Sequence, residues 1–164
     1  MRYVLNASDE HSCFGGKAGA LATLTTRGFP VPDWFVVIPE AFNVSLKERQ
    51  RQEVFSGNPE HMRSVLADLT PADIVREEIV IALEELCPDG EFLAVRSSAL
   101  EEDGSESSFA GQFDSFLFVP PDDVPEKVVA VWMSGFNERV QAYRRERGMS
   151  ILPTVPAVLV QRMV

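Results

Sequence analysis

The chain has little of what metal centres, membranes or nucleic acids require. Its 164 residues hold two cysteines, Cys13 and Cys87, and two histidines, His11 and His61, and these form no zinc-type or redox spacing. A metal site built from Cys and His is therefore not expected, and the two thiols read as free cysteines in a reducing cytoplasm. No run of about 18 apolar residues exists, so no membrane-spanning helix is expected. The opening "MRYVLNASDEHSC" lacks the apolar stretch of a signal peptide. Positive charge is scarce, with 15 Lys and Arg against 25 Asp and Glu, a net charge of −10. That balance argues against a nucleic-acid backbone or an anionic membrane as the main partner. Between Arg76 and Lys127 stand fourteen acidic residues and a single basic one, Arg96. In such a chain a cation set against the local trend carries information.

What is present is a core. At 45% hydrophobic the chain can bury enough apolar surface for one domain or two small lobes. "MRYVLN", "FVVI", "FLAV", "SFLFV" and "PAVLVQRMV" read as strands. Ala18, Leu21, Ala22 and Leu24 recur at helical spacing, with Arg27-Gly28 as the stop. Residues 39–55 predict one polar surface helix, broken at "SGNPEH". Thr70 as cap and Pro71 at the first turn predict the entry of a helix whose apolar stripe runs through Ile74, Val75, Ile79, Ala82, Leu83 and Leu86. A long helix is expected from Asp123, with Glu126 completing a capping box, to Gly148; Arg144, Arg145 and Arg147 in its last turn suit the dipole. The strands alternate with helices and the last one ends the chain, which reads as a cut.

Against these well-behaved helix ends, Lys17 stands out. It follows Gly15-Gly16 at the start of a helix, where the macrodipole disfavours a cation by about 0.3–1 kcal/mol. Two glycines before a helix let backbone N–H groups come close to an anion, and a lysine adds full charge; together they suit a phosphate. The stretch is not a Walker A loop, because His11 stands where its first glycine belongs and Ala18 where Ser or Thr should hold magnesium. An ordinary glycine turn with a solvated lysine fits the same residues. Arg96 poses a similar choice. A strand delivers it to a ligand-facing end, where its fork suits phosphate oxygens; a structural ion pair with a neighbouring carboxylate is the other reading. The loop "EEDGSESSFAGQFDS" that follows has the glycines and serines of a flexible lid, and equally of a solvated loop. Glu101, Glu102 and Asp103 either help hold Mg²⁺ or balance Arg96.

Taken together, "GGKAGALATLTTRGFPVPDWFVV", "FLAVRSSALEEDGSESSFAGQFDSFLFV", "NERVQAYRRERG" and "VPAVLVQRMV" resemble, in order and spacing, the N-terminal nucleotide-binding region of the phosphoenolpyruvate synthase (pyruvate, water dikinase) family. Pyruvate phosphate dikinase is a more distant relative, and rifampicin phosphotransferase shares the architecture. The resemblance implies an α+β fold, the first part of an ATP-grasp domain with a mixed sheet and flanking helices, in which ATP lies between two lobes. On this reading residues 1–164 are the N-terminal portion of that domain, truncated before the second lobe, with no second domain. Lys17 and Arg96 would contact ATP phosphates, helped by Gly15 and Gly16. Gly111 would let the backbone approach them, with Ser115 nearby. Gln161 would reach the adenine end, with Met163 and Val164 along the connector to the second lobe. The main Mg²⁺ ligands are expected in that second half. Family members phosphorylate a histidine on a separate swivelling domain and pass the phosphoryl group to pyruvate, so the implied partners are ATP and the phosphohistidine and pyruvate domains of a longer protein. The 164 residues alone are not expected to catalyse. The alternatives are a phosphotransferase with another acceptor, such as an antibiotic, and a free-standing non-catalytic nucleotide-binding or regulatory domain.

Overall fold

Strand side chains alternate between two faces, and here both faces carry apolar residues, so the strands need cover on both sides. The computed structural model describes residues 1–9, 14–54, 59–99, 113–146, 148 and 155–164. Five strands, β1 (Val4–Asn6), β2 (Trp34–Val37), β3 (Leu93–Ser98), β4 (Ser115–Val119) and β5 (Ala157–Arg162), make one sheet in the order β1-β2-β5-β3-β4. Every neighbouring pair is antiparallel, which corrects the expected mixed sheet. The strands β2 and β3, joined by a helical crossover, do run parallel to each other, but β5 inserts between them and pairs with both. The last strand in the chain is thus the centre of the sheet.

One face carries Phe35, Val37, Leu93, Val95, Val119, Val158 and Val160. It packs on α5 (Asp73–Leu86) through Val75, Ile79 and Leu83, and on α6 (Val124–Ser134) through Val128, Val131 and Trp132. Phe42 of α2 (Glu40–Ser45) meets the Trp132 ring edge-on at 5.8 Å. Cys87 joins this core, and burial pushes its thiol up, with the charge of Glu91 adding to the effect. The opposite face carries Trp34, Val36, Ala157 and Leu159, covered by Phe14, Ala18 and Ala22 of α1 (Gly15–Thr26) and its approach. Phe14 and Trp34 meet edge to face at 5.6 Å. As expected, α1 stops at Arg27, with Gly28 at φ +77° and the Phe29 N–H reaching back to the Leu24 carbonyl.

The other helix boundaries differ from the expectation in one consistent way. Residues 39–55 give two helices, α2 and α3 (Glu48–Val54), because Leu46 adopts an extended conformation between them. A further helix, α4 (Pro59–Val65), follows where only a break was foreseen. Thr70 caps nothing. The helix α5 starts at Asp73 with Ala72 at its N-cap, and the Ala72 N–H is taken by the Ser45 hydroxyl at 3.0 Å. Asp123 makes no capping bond either; it ends a 3₁₀ turn, Pro121–Asp123, that runs into α6. The long helix breaks at Gly135, and α7 (Glu138–Glu146) begins after it with Arg144 buried and only Arg145 left in solvent; Arg147 lies outside the described residues. The start of α5 is thus tied from across the fold, which a local reading of caps does not see, whereas α7 is capped locally, the Val140 N–H donating to the Asn137 side-chain oxygen at 2.8 Å.

Candidate functional site

The start of α1 is stitched to the end of β3. Gly15 has φ +70°, and a Cβ built on it would run into the Ser98 carbonyl, so only glycine lets the helix come this close. The Gly16 N–H donates to the Ala99 carbonyl at 3.0 Å. The Ser98 hydroxyl donates to the Phe14 carbonyl at 2.6 Å and accepts from the Ala18 N–H at 3.0 Å. One of the four N–H groups that open a helix without partners, that of Gly16, is thereby used within the protein, and the Ser98 hydroxyl bridges the Ala18 N–H and the Phe14 carbonyl one turn before it. That Gly16 N–H is the one the sequence leaves available for an anion. Lys17, half-buried, sits between the two tethered amides.

Arg96 lies inside β3 and not beyond it, which corrects the reading of the strand as ending at Val95. Strand-end rules for parallel sheets therefore do not govern it. It is two residues before Ser98 and so shares the α1-covered face, roughly 6–7 Å along the strand. The register sets it between Leu159 of β5 and Ser115 of β4. Arg96 is half-buried and Ser115 exposed. Among the described residues no carboxylate pairs with Arg96, although the neighbouring sequence is acidic. Glu101, Glu102 and Asp103 lie outside the described residues, as does Gly111. Continuing along the same face, Ala94 stands beside Gln161, which is flanked on its other side by Trp34. The Gln161 amide donates to the Pro32 carbonyl at 3.4 Å. The structure thus brings Lys17, Arg96, Ser115 and Gln161 to one face, in that order from the α1 joint outward.

The β4 edge of this face is irregular. The β3–β4 register shifts opposite Ala94, and Phe118 there takes φ 56°, rare for a bulky residue. The bulge leaves Leu117 and Phe118 exposed, with Phe118 edge-on to Phe92 at 6.3 Å. Met163 reaches this spot: its N–H donates to the Phe92 carbonyl and its sulfur accepts the Phe118 N–H at 3.2 Å. Val164 is fully exposed. An apolar lip therefore borders the Gln161 end of the face.

A local reading missed Ser98 and Ser134. Ser134, buried in α6, accepts the Asp114 N–H at 3.2 Å and so fixes the chain just before Ser115. Nothing in the sequence flags either serine beyond its place near a strand or helix end. Two clefts, of about 560 and 810 Å³, open elsewhere: one between β1, Pro32, Trp34 and α5, the other between α5 and Pro121. Neither is lined by Lys17, Arg96, Ser115 or Gln161. Among the described residues no three His, Cys, Asp or Glu converge to hold a metal, so these residues supply no Mg²⁺ cage. No described helix is long and apolar enough to cross a membrane.

Comparison with known proteins adds a family. The profile for "Pyruvate phosphate dikinase, AMP/ATP-binding domain" matches residues 11–164. The chain is 38% identical over 156 residues to the prodigiosin synthesizing transferase PigC of Serratia marcescens, covering 92% of this chain and 17% of that protein. It is 33% identical over 171 residues to a phosphoenolpyruvate synthase of Aeropyrum pernix, covering 92% and 21%. With the uncharacterized phosphotransferase YvkC of Bacillus subtilis it shares 28% over 159 residues, covering 96% and 19%. The chain spans about a fifth of the length of these relatives.

Proposed function

The chain belongs to the pyruvate phosphate dikinase AMP/ATP-binding domain family, and from that premise we propose that it is the ATP-binding part of a phosphoenolpyruvate synthase-like phosphotransferase. The observation that carries the placement is Arg96: half-buried on a sheet face, with no described carboxylate partner, and two residues along the strand from the joint that holds Lys17. ATP lies along this face with its phosphates at Lys17 and Arg96, Ser115 beside them, and its base toward Gln161 and the lip formed by Leu117, Phe118 and Met163. An anion there offsets the cost of a cation in the first turn of α1. Because Gly16 and Ala18 spend their N–H groups on β3, the phosphates are held mainly by side chains. Gly15 and Gly16 serve the site by letting α1 close on β3, and Gly111 belongs to the same site by resemblance.

Among the described residues this face is covered only in part, as one half of an ATP-grasp cleft would be; a second lobe in a longer protein supplies the other wall and the main Mg²⁺ ligands. The described residues give no such ligand set, and no step here is routed through the ion. Cationic side chains neutralise and position the transferring phosphates, which is most of what a protein contributes to phosphoryl transfer. The phosphoryl group passes to a histidine on a swivelling domain and then to the acceptor, pyruvate in the leading reading. The 38% identity to a transferase named for prodigiosin synthesis favours keeping a second reading, in which the same ATP-binding part serves another acceptor. These residues bind ATP in both, and alone they catalyse neither.

Calorimetric titration of the chain with ATP, with and without Mg²⁺, tests the placement. Binding should weaken tenfold or more in Lys17→Met and in Arg96→Met, on the scale of one lost charge-assisted contact. Variants that bind ATP like the wild type would remove both residues from the site.

A further inference from the structure

We propose that Ser98 is the positioning residue of the phosphate site, the group that fixes Lys17 relative to Arg96. This rests on the phosphate reading of Lys17 and Arg96 given above. Ser98 is 1% exposed and is the last residue of β3, two positions from Arg96 on the same face. Its hydroxyl spans the gap to α1 in both directions, giving its proton to the Phe14 carbonyl and accepting the Ala18 N–H. The Gly16 N–H bond to Ala99 fixes the other side of Lys17. Lys17 is thus bracketed by two bonds to consecutive residues of the segment that carries Arg96. Phe14, the N-cap residue of α1, is itself helical and makes no side-chain cap bond. The rest of α1 packs on the sheet through Ala18 and Ala22, with Leu21 partly buried against the same cluster. Without the Ser98 hydroxyl the spacing of the two cations loses its gauge.

Ser98→Ala removes the hydroxyl, changes little volume and leaves β3 in place. Amide exchange should show lost protection confined to residues 14–20, with the sheet unchanged; exchange identical to wild type would overturn the proposal. ATP affinity, measured by calorimetry on the same chain, should fall about tenfold. A double-mutant cycle separates positioning from mere stabilisation. If Ser98 acts by placing Lys17, Ser98→Ala costs the tenfold in the wild type and little in Lys17→Met. An equal loss in both backgrounds, or none in the wild type, overturns the positioning role while leaving the phosphate reading intact. Failure of that reading looks different: the wild type binds no ATP, or Lys17→Met and Arg96→Met both bind it like the wild type. Ser98 is then a structural joint only, and the positioning role falls with the site.

Discussion

On the face of the sheet covered by α2, α5 and α6, each strand contributes aliphatic or aromatic side chains to one continuous core, with Val37, Val95, Val158, Val160 and Trp132 fully buried. On the opposite face α1 covers β2, β5 and the end of β3, and the cover stops short of Arg96 and Ser115. The same strands build both faces, alternating residue by residue. What differs is the helix laid on them. Three helices with large side chains close the first face, whereas among the described residues a single helix, approaching through glycine and alanine, covers only part of the second. The part it leaves uncovered is where a charged residue stands without a described carboxylate. One face holds the fold, and the other is the one proposed for ATP.

That contrast can be broken from either side. Trp132→Ala attacks the closed face and should have the largest effect, about 3–5 kcal/mol of lost stability, because a fully buried ring leaves a cavity. Denaturant unfolding measures it, and ATP affinity of the fraction still folded should stay near the wild-type value. Gly15→Ala acts at the joint between the faces. Its φ of +70° and the Ser98 carbonyl in the way put the cost at about 2 kcal/mol, with ATP affinity falling as well, since α1 must back away from β3. A variant as stable as the wild type would mean the joint is loose. On the open face, Arg96→Met should leave the melting temperature within about 2 °C while ATP affinity drops tenfold or more, the reverse of the Trp132 outcome. The smallest effect belongs to Ser115→Ala, about a threefold loss of ATP affinity with no change in melting, as for one neutral hydrogen bond. Equal changes in stability and binding across this series would dissolve the distinction between the faces.

Much of the fold is legible in residue order. Ser115–Val119 coincides with a stretch read as strand, and Val4–Asn6 and Trp34–Val37 each overlap one. The stop at Arg27-Gly28 is legible because Gly28 is needed for its own positive φ, a local requirement. The capping bonds expected at the starts of α5 and α6 are not made. Thr70, Asp123 and Glu126 fit local capping rules, and none of the three caps a helix. Ser45 and Ser98 satisfy helix starts 27 and 80 residues away in sequence. A long-range hydroxyl does what a neighbouring one would do, and no window of sequence contains both partners.

The candidate site divides along the same line. Residue types and their spacing were enough to single out Gly15, Gly16, Lys17 and Arg96, because a cation at a helix start and a lone arginine in an acidic stretch are anomalies of local chemistry. Sequence by itself also located five strand stretches and the deficit of positive charge. Only the tertiary structure decided that β5 enters between β2 and β3, that the sheet is antiparallel, and that Lys17, Arg96, Ser115 and Gln161 share one face. The reason is physical. Local propensity and charge act over a few residues, whereas register, strand order and the Ser98 joint depend on which distant groups can satisfy one another once the chain has closed on itself.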